Sequence, residues 1–368
     1  MYATREDLRE AAGEIITCGV AGKEVNAETR EILREVRPGG LILFARNIDS
    51  PGQTAAFTRE LKLLRSSYPL SLSVDQEGGR VARVRAPATE WPPMRTLGEI
   101  GDPDLVKRVG QALGRELRAM NFDIDYAPVL DVDSNPDNPI IGDRSFSRDA
   151  TQTATLGRAL IEGLHSAGVA ACGKHFPGHG DTDLDSHLAL PFISHDVSRL
   201  RELEWVPFKE AIGAGLGAIM TAHVVIESID ESLPATLSKP VLDYLRNELS
   251  FGGVIISDDL EMKAVAERFS PHEMAKLGIE AGVDHFLVCE KPDVILEFYR
   301  ALIRCVEEKT ISHQALMDAA KRSRLWREAY YQPPIHEREV LTWVGCGEHQ
   351  ALRHEIDTQR ALLDGRVI

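Results

Sequence analysis

What the chain lacks narrows its possibilities before any motif is read. It has no CxxC pair: its five cysteines, Cys18, Cys172, Cys289, Cys305 and Cys346, stand far apart. An odd, scattered set reads as reduced core thiols rather than a disulfide framework or a zinc site. It has no run of eighteen apolar residues, and its N-terminal MYATREDLREAAGEI has no apolar leader segment. Neither a membrane span nor a secretory signal is expected, which makes the cytoplasm the expected location. It also lacks an excess of positive charge. Forty-two Lys and Arg against 57 Asp and Glu give a formal net charge of -15, which repels a phosphate backbone or an anionic lipid surface. The expectation is no nucleic-acid partner, no membrane partner, and a neutral small molecule as ligand.

What the chain does have is a repeated alternation. Short apolar runs that end in Gly, Asp, His or Asn fall at 14–22, 39–47, 70–79, 123–133, 170–176, 217–226, 252–260 and 282–289. Segments with helical spacing separate them, at 27–37, 52–66, 103–120, 148–168, 196–214, 238–249, 271–281 and 292–308. Ser50-Pro51, Asp102-Pro103 and Ser238 with Pro240 are helix-start signals. Eight βα units over 368 residues predict an α/β fold, a single-domain (β/α)8 TIM barrel. A doubly wound sheet is the alternative, since period alone does not decide closure. The barrel is expected over 1–335, including an outer helix at 311–331. A tail at 336–368 is too short for a second domain and is expected to be helical and packed on the barrel.

In such a barrel the reactive groups lie at the C-terminal ends of the strands, and the polar clusters of this chain fall there repeatedly. The third run ends in DQEGGR, from Asp75 to Arg80, and continues to Arg83. The fourth leads to GDRSFS with Arg144, the fifth opens into KHFPGHGDTDLDSH from Lys174 to His187, and the seventh ends in SDD. Any one of these could be a strand terminator, and Asp75 alone would pass for a turn residue. With His223 at the end of the sixth run, five clusters on one face demand more.

Asp258 or Asp259, after the apolar VIIS, is placed to act as a carboxylate nucleophile. Adjacent strand residues point to opposite sides, so only one of the two should face the barrel axis, and the residues alone leave the choice open. Asp185 and His187, one residue apart, can form an oriented pair that gives and takes a proton near neutral pH. These are the parts of a retaining glycosidase. His175, His179 and Asp181 also permit a metal reading. However, Pro177 and Gly178 break the helix that would align the two histidines, and no HExxH is present. No metal and no cofactor are expected.

The set KHFPGHGDTDLDSH, DQEGGRVARV, GDRSFS, MTAHVVI, LPATLSKPVLDYLR and GGVIISDDLEM resembles glycoside hydrolase family 3, and within it the β-N-acetylhexosaminidases of the NagZ type. The resemblance spans roughly residues 10 to 330. It implies a TIM barrel, a covalent glycosyl-enzyme, and release of terminal β-linked N-acetylglucosamine from muropeptide or chitooligosaccharide fragments. By position it implies Asp258 as nucleophile and Asp185 with His187 as the acid/base dyad. Asp75, Arg83, Arg144, Lys174 and His175 are implied as sugar-binding residues, Asp75 at the hydroxyls and Arg144 near the acetamido group. Arg144 and Lys174 would also help keep Asp258 ionised.

Two alternatives follow. Family 3 β-glucosidases and β-xylosidases usually carry a second domain that this chain has no length for. A metal-dependent TIM-barrel hydrolase is the reading from another class. A histidine in place of a carboxylate acid/base also leaves room for phosphate as acceptor. The expected state is a monomer.

Overall fold

Eight parallel strands pair in chain order and close on themselves, the last against the first. They are Ile16–Gly19, Gly40–Leu43, Ser71–Val74, Ile124–Asp125, Ala170–Phe176, Ala218–Thr221, Val254–Asp259 and His285–Val288. The computed structural model describes residues 4–64, 69–182, 190–336 and 340–365. Closure decides the question that periodicity left open, and the fold is a (β/α)8 barrel.

Helices alternate with the strands. Asn26, Ser50, Asp102, Asp149, Ser238 and Ser270 each accept a backbone N–H at a helix start, as their side chains predict. Several expected elements are shorter or divided, among them the following two. The helix expected at 196–214 is two, Val197–Glu202 and Val206–Gly213, with Pro207 in the first turn of the second, where its missing N–H costs nothing. The strand expected at 123–133 is two residues long. After Tyr126 comes a cis Ala127-Pro128 bond, and the proline has no hydrogen to give the ladder.

Inward-facing Ile42, Ile124, Tyr126, Cys172, Met220, Ile256 and Leu287 fill the barrel, with Trp326 from the helix His313–Tyr330 packed against them. Added bulk at Gly217 would strike that indole, its Cβ falling 2.8 Å from the ring. All five cysteines are free thiols, and all but Cys346 are buried. At the N-terminal end, three fully buried carboxylates immediately precede strands. Glu14 receives Arg324 and Arg327; Asp123 receives Lys62 at 2.7 Å and Arg118 at 2.8 Å; Asp284 receives Arg246 and Arg322. Asp123 and Asp284 also accept a backbone N–H from the preceding strand in space, Leu72 and Ile255 respectively.

The tail contains helices Val340–Trp343 and Gly347–Leu363. Its anchor is Glu116, buried on the helix Pro103–Ala119, whose carboxylate accepts from Thr89, the Gly345 N–H and His349 Nδ1.

Candidate active site

A cavity of about 250 Å3 opens at the C-terminal mouth of the barrel, and five of the residues singled out from the sequence line it: Asp75, Arg83, Arg144, Lys174 and Asp258. Ile42, Met220 and Leu287, near the ends of the second, sixth and eighth strands, supply an apolar wall.

Asp75 and Glu77 are two residues apart in an extended segment, so both carboxylates reach the same cavity while Gln76 points away. Lys174, at the end of the fifth strand, places its ammonium 2.8 Å from Asp75 and 2.6 Å from Glu77. Arg144, on a short turn Gly142–Arg144, makes two parallel bonds to Glu77, each 2.8 Å. Glu77 therefore holds both cations in place through short, charge-assisted bonds. Burial pushes its carboxyl up, but Arg144 and Lys174 beside it win and hold it well below the usual carboxylate range. The Lys174 ammonium is disfavoured by burial and yet ends above its ordinary value because Asp75 and Glu77 face it. The charge of these two cations is thus matched first by Glu77 and Asp75, not reserved for Asp258.

Arg83 is held more loosely, 3.5 Å from Asp75, and lies over the Phe44 ring. Its backbone belongs to an irregular hairpin, Gln76–Gly78 with Val81–Ala82, that extends the third strand. Gly78 and Gly79 turn that hairpin at φ +98° and +57°, and a Cβ on either would come within 3 Å of Pro92 or Pro93.

Both acids of SDD border the cavity, where alternation predicts one. The seventh strand changes register against the eighth between Ile256 and Asp259, which breaks the simple alternation at its end. Their surroundings differ all the same. Asp258 accepts the Asp259 N–H at 2.8 Å. Asp259 turns to the Glu261 and Cys289 N–H groups. Burial pushes the Asp259 carboxyl up to about 7; Glu261 and Asp258 add repulsion, and the backbone bonds oppose it.

His175 is buried and is not among the described residues that line the cavity. Asp131, fully buried, accepts His175 Nδ1 at 2.7 Å and the His175 and His179 N–H groups. Burial raises the Asp131 carboxyl but His175 and His179 outweigh that and lower it, so Asp131 is ionised and Nδ1 of His175 carries the hydrogen. His179 is buried as neutral imidazole, pushed down to about 4 by desolvation and by His175. The Thr182 hydroxyl donates to the His179 carbonyl and accepts from His179 Nδ1. Asp181 turns to His195. The three side chains of the metal reading thus each have another partner. Among the described residues, no group of three or more His, Cys, Asp or Glu side chains has metal-binding geometry. Asp185 and His187 lie outside the described residues.

Two organising residues escaped the sequence reading. Glu77 was visible as the i+2 partner of Asp75, but strand alternation was applied only to the SDD pair. Asp131, in the apolar LDVD, carries no signal that separates it from any strand-terminating acid.

A family model described as the glycosyl hydrolase family 3 N terminal domain matches residues 7–324. The chain is 42% identical over 289 residues to a beta-hexosaminidase of Nitrosomonas eutropha, covering 77% of this chain and 82% of that one. A family 3 beta-N-acetylglucosaminidase from Paenibacillus sp. str. FPU-7 superposes with a TM-score of 0.90 at 36% identity, over 98% of this chain and 69% of that one. NagZ from Neisseria gonorrhoeae, in complex with N-trifluoroacetyl-D-glucosamine, superposes at 0.79 with 33% identity, over 94% and 98%.

Proposed function

The chain belongs to glycoside hydrolase family 3, and from that premise we propose that it is a retaining β-N-acetylglucosaminidase with Asp258 as nucleophile. One observation carries the reading: a cavity at the barrel mouth in which Asp258 shares a wall with Asp75, Arg83, Arg144 and Lys174. A neutral sugar offers only hydroxyl and amide dipoles, and charged donors and acceptors bind those more strongly than neutral ones do. Asp75 serves the hydroxyls and Arg144 the acetamido side. His175, its Nδ1 held by Asp131, joins Lys174 as a sugar-binding residue.

An Asp258 oxygen attacks the anomeric carbon as the bond to the leaving oxygen breaks. His187, oriented by Asp185, gives that oxygen its proton. Water then attacks the same carbon, passes a proton to His187, and frees the sugar and the Asp258 carboxylate. The substrates are short fragments that end in β-linked N-acetylglucosamine, and an enzyme acting in the cytoplasm would serve the recycling of cell-wall pieces.

Mass spectrometry after incubation with a fluorinated N-acetylglucosaminyl donor tests sugar and nucleophile together. The expected product is one added glycosyl group on the peptide that contains Asp258. Labelling elsewhere, or none alongside rapid turnover of the aryl N-acetylglucosaminide, would overturn the assignment.

A further inference from the structure

Between the two cavity acids Asp75 and Glu77 lies a side chain that touches no part of the cavity. Gln76 is 4% exposed, and its amide makes three bonds to the return arm of the hairpin. Oε1 accepts the N–H of Arg83 at 2.8 Å and of Val84 at 2.9 Å, while Nε2 donates to the Val84 carbonyl at 2.8 Å. With two N–H groups on one side and a carbonyl on the other, only one orientation of the amide satisfies all three. The Gln76 backbone N–H is in turn held by Asp125 Oδ1 at 2.9 Å, from the end of the fourth strand. Asp125 is fully buried and its second oxygen has no partner.

This arrangement repairs a defect in the hairpin. Its two arms pair only at Gln76 with Ala82 and at Gly78 with Val81, with the register shifted between them. Past Ala82, among the described residues, no strand pairs with the return arm, and the N–H groups of Arg83 and Val84 and the Val84 carbonyl turn to the Gln76 amide instead. Gln76 supplies these bonds from a side chain. The consequence falls on Arg83, whose guanidinium has, among the described residues, a 3.5 Å contact with Asp75 and the Phe44 ring to define its place. A guanidinium held so lightly at its tip depends on where its backbone is fixed.

We propose that Gln76, anchored by Asp125, is the positioning residue for Arg83 in the sugar site, and that it sets ground-state binding of the sugar rather than the bond-breaking step. This rests on the glycosidase reading above. Gln76 is a positioning residue and not a catalytic one, since its amide is spent on backbone.

The test is a double-mutant cycle on an aryl N-acetyl-β-glucosaminide with Gln76→Leu, Arg83→Ala and the double variant. Gln76→Leu is expected to lower kcat/KM by about tenfold or more, mainly through KM. The double variant is expected to be no more than about twofold worse than Arg83→Ala alone, because residues acting through one another are not additive. Pairing Gln76→Leu with Arg353→Ala on the tail is the control, and there the effects should multiply. Wild-type kcat/KM in Gln76→Leu, or losses that multiply with Arg83→Ala, would overturn the proposal. Should Gln76→Leu fail to fold, Gln76→Glu takes its place in the cycle. It keeps both acceptor bonds but sets a carboxylate oxygen against the Val84 carbonyl where the amide donated, and the same non-additivity is required of it. If the wild-type protein does not cleave the N-acetylglucosaminide, the glycosidase reading fails. If it does and the cycle is additive, only the role of Gln76 falls.

Discussion

At the N-terminal end of the barrel Glu14, Asp123 and Asp284 each precede a strand, each is fully buried, and each is met by two cations. At the C-terminal end the acids are as numerous, but the cations are shared unevenly. Glu77 takes Arg144 and most of Lys174, Asp75 has the other contact of Lys174, and Asp259 is left to backbone N–H groups. The difference is one of saturation. A buried acid with every lone pair matched contributes rigidity, and removing it strands its cations. An acid short of counter-charge keeps its reactivity and its sensitivity to pH. One chemical inventory thus builds a foundation at one end of the strands and a reaction site at the other.

The sharpest way to break that comparison is to exchange effects between the two ends. Asp258→Ala is expected to lower kcat on an aryl N-acetylglucosaminide by on the order of a thousandfold or more, with the melting temperature close to wild type. Near-normal turnover would remove Asp258 from the mechanism. Asp123→Ala should do the reverse. It leaves the Lys62 ammonium, with no exposed side-chain surface, beside Arg118 with no counter-charge, at a cost of about 3 to 5 kcal/mol in folding stability. The folded fraction should keep its kcat/KM. Denaturant unfolding together with active-site titration measures both quantities, and a fall in kcat/KM without loss of stability would mean the two ends are not separate.

Glu77 tests the boundary between these roles, since it is saturated like the lower acids yet faces the cavity. Replacing Glu77 with Gln turns charge-assisted bonds into weaker ones, worth about 1.5 to 3 kcal/mol, so a roughly tenfold to hundredfold loss in kcat/KM is expected. Its pH signature has a fixed sign. The folded carboxyl sits far below its ordinary 4.5, so its stabilising contribution is fully present above that value and is lost as pH falls below it. Wild type should therefore lose stability below pH 4.5 more steeply than Glu77→Gln. Parallel acid-unfolding curves would show that Glu77 does not hold its cations in the way its distances imply.

How much of this was legible beforehand depends on which physics each feature obeys. The eight strands follow from local apolar period, and all eight were found because a strand buried on both sides reads as an unbroken apolar run. The early end of the fourth strand differs from the expected run, although Pro128, which has no hydrogen to give a ladder, stands in the sequence. Asp75, Arg83, Arg144, Lys174 and Asp258 come from four separated stretches, which the rule that barrel chemistry sits at strand ends brings together and within which the family resemblance picks the residues. What stayed hidden were the partners. Glu77, Asp131 and Gln76 act through contacts with residues up to 97 positions away, such as Glu77 with Lys174, and no local pattern encodes such a contact. His175 shows the cost of that blindness. Its motif marks it as a sugar-binding residue, but nothing local in the sequence shows that Asp131 holds its Nδ1.

Asp259 offers the smallest effect and the finest test of the contrast between the ends. Its carboxyl sits at about 7 when folded, against 3.8 ordinarily, first because of burial and then because of Glu261 and Asp258. The folded protein therefore keeps this proton across a window in which the unfolded chain has given it up. Stability from this group is fully present below pH 3.8 and is lost as pH rises to about 7. Asp259→Asn removes the titration without changing the shape of the side chain. The expected result is that the melting temperature of wild type falls between pH 5 and pH 7 relative to that of the variant, by a few degrees at most given the partial exposure of the site. Asp284→Asn is the comparison at the other end: it leaves Arg246 and Arg322 facing a neutral amide and is expected to lower the melting temperature at pH 7 by more than Asp259→Asn does. If Asp259→Asn costs more stability at pH 7 than Asp284→Asn does, then saturation is not what separates the two ends of the barrel.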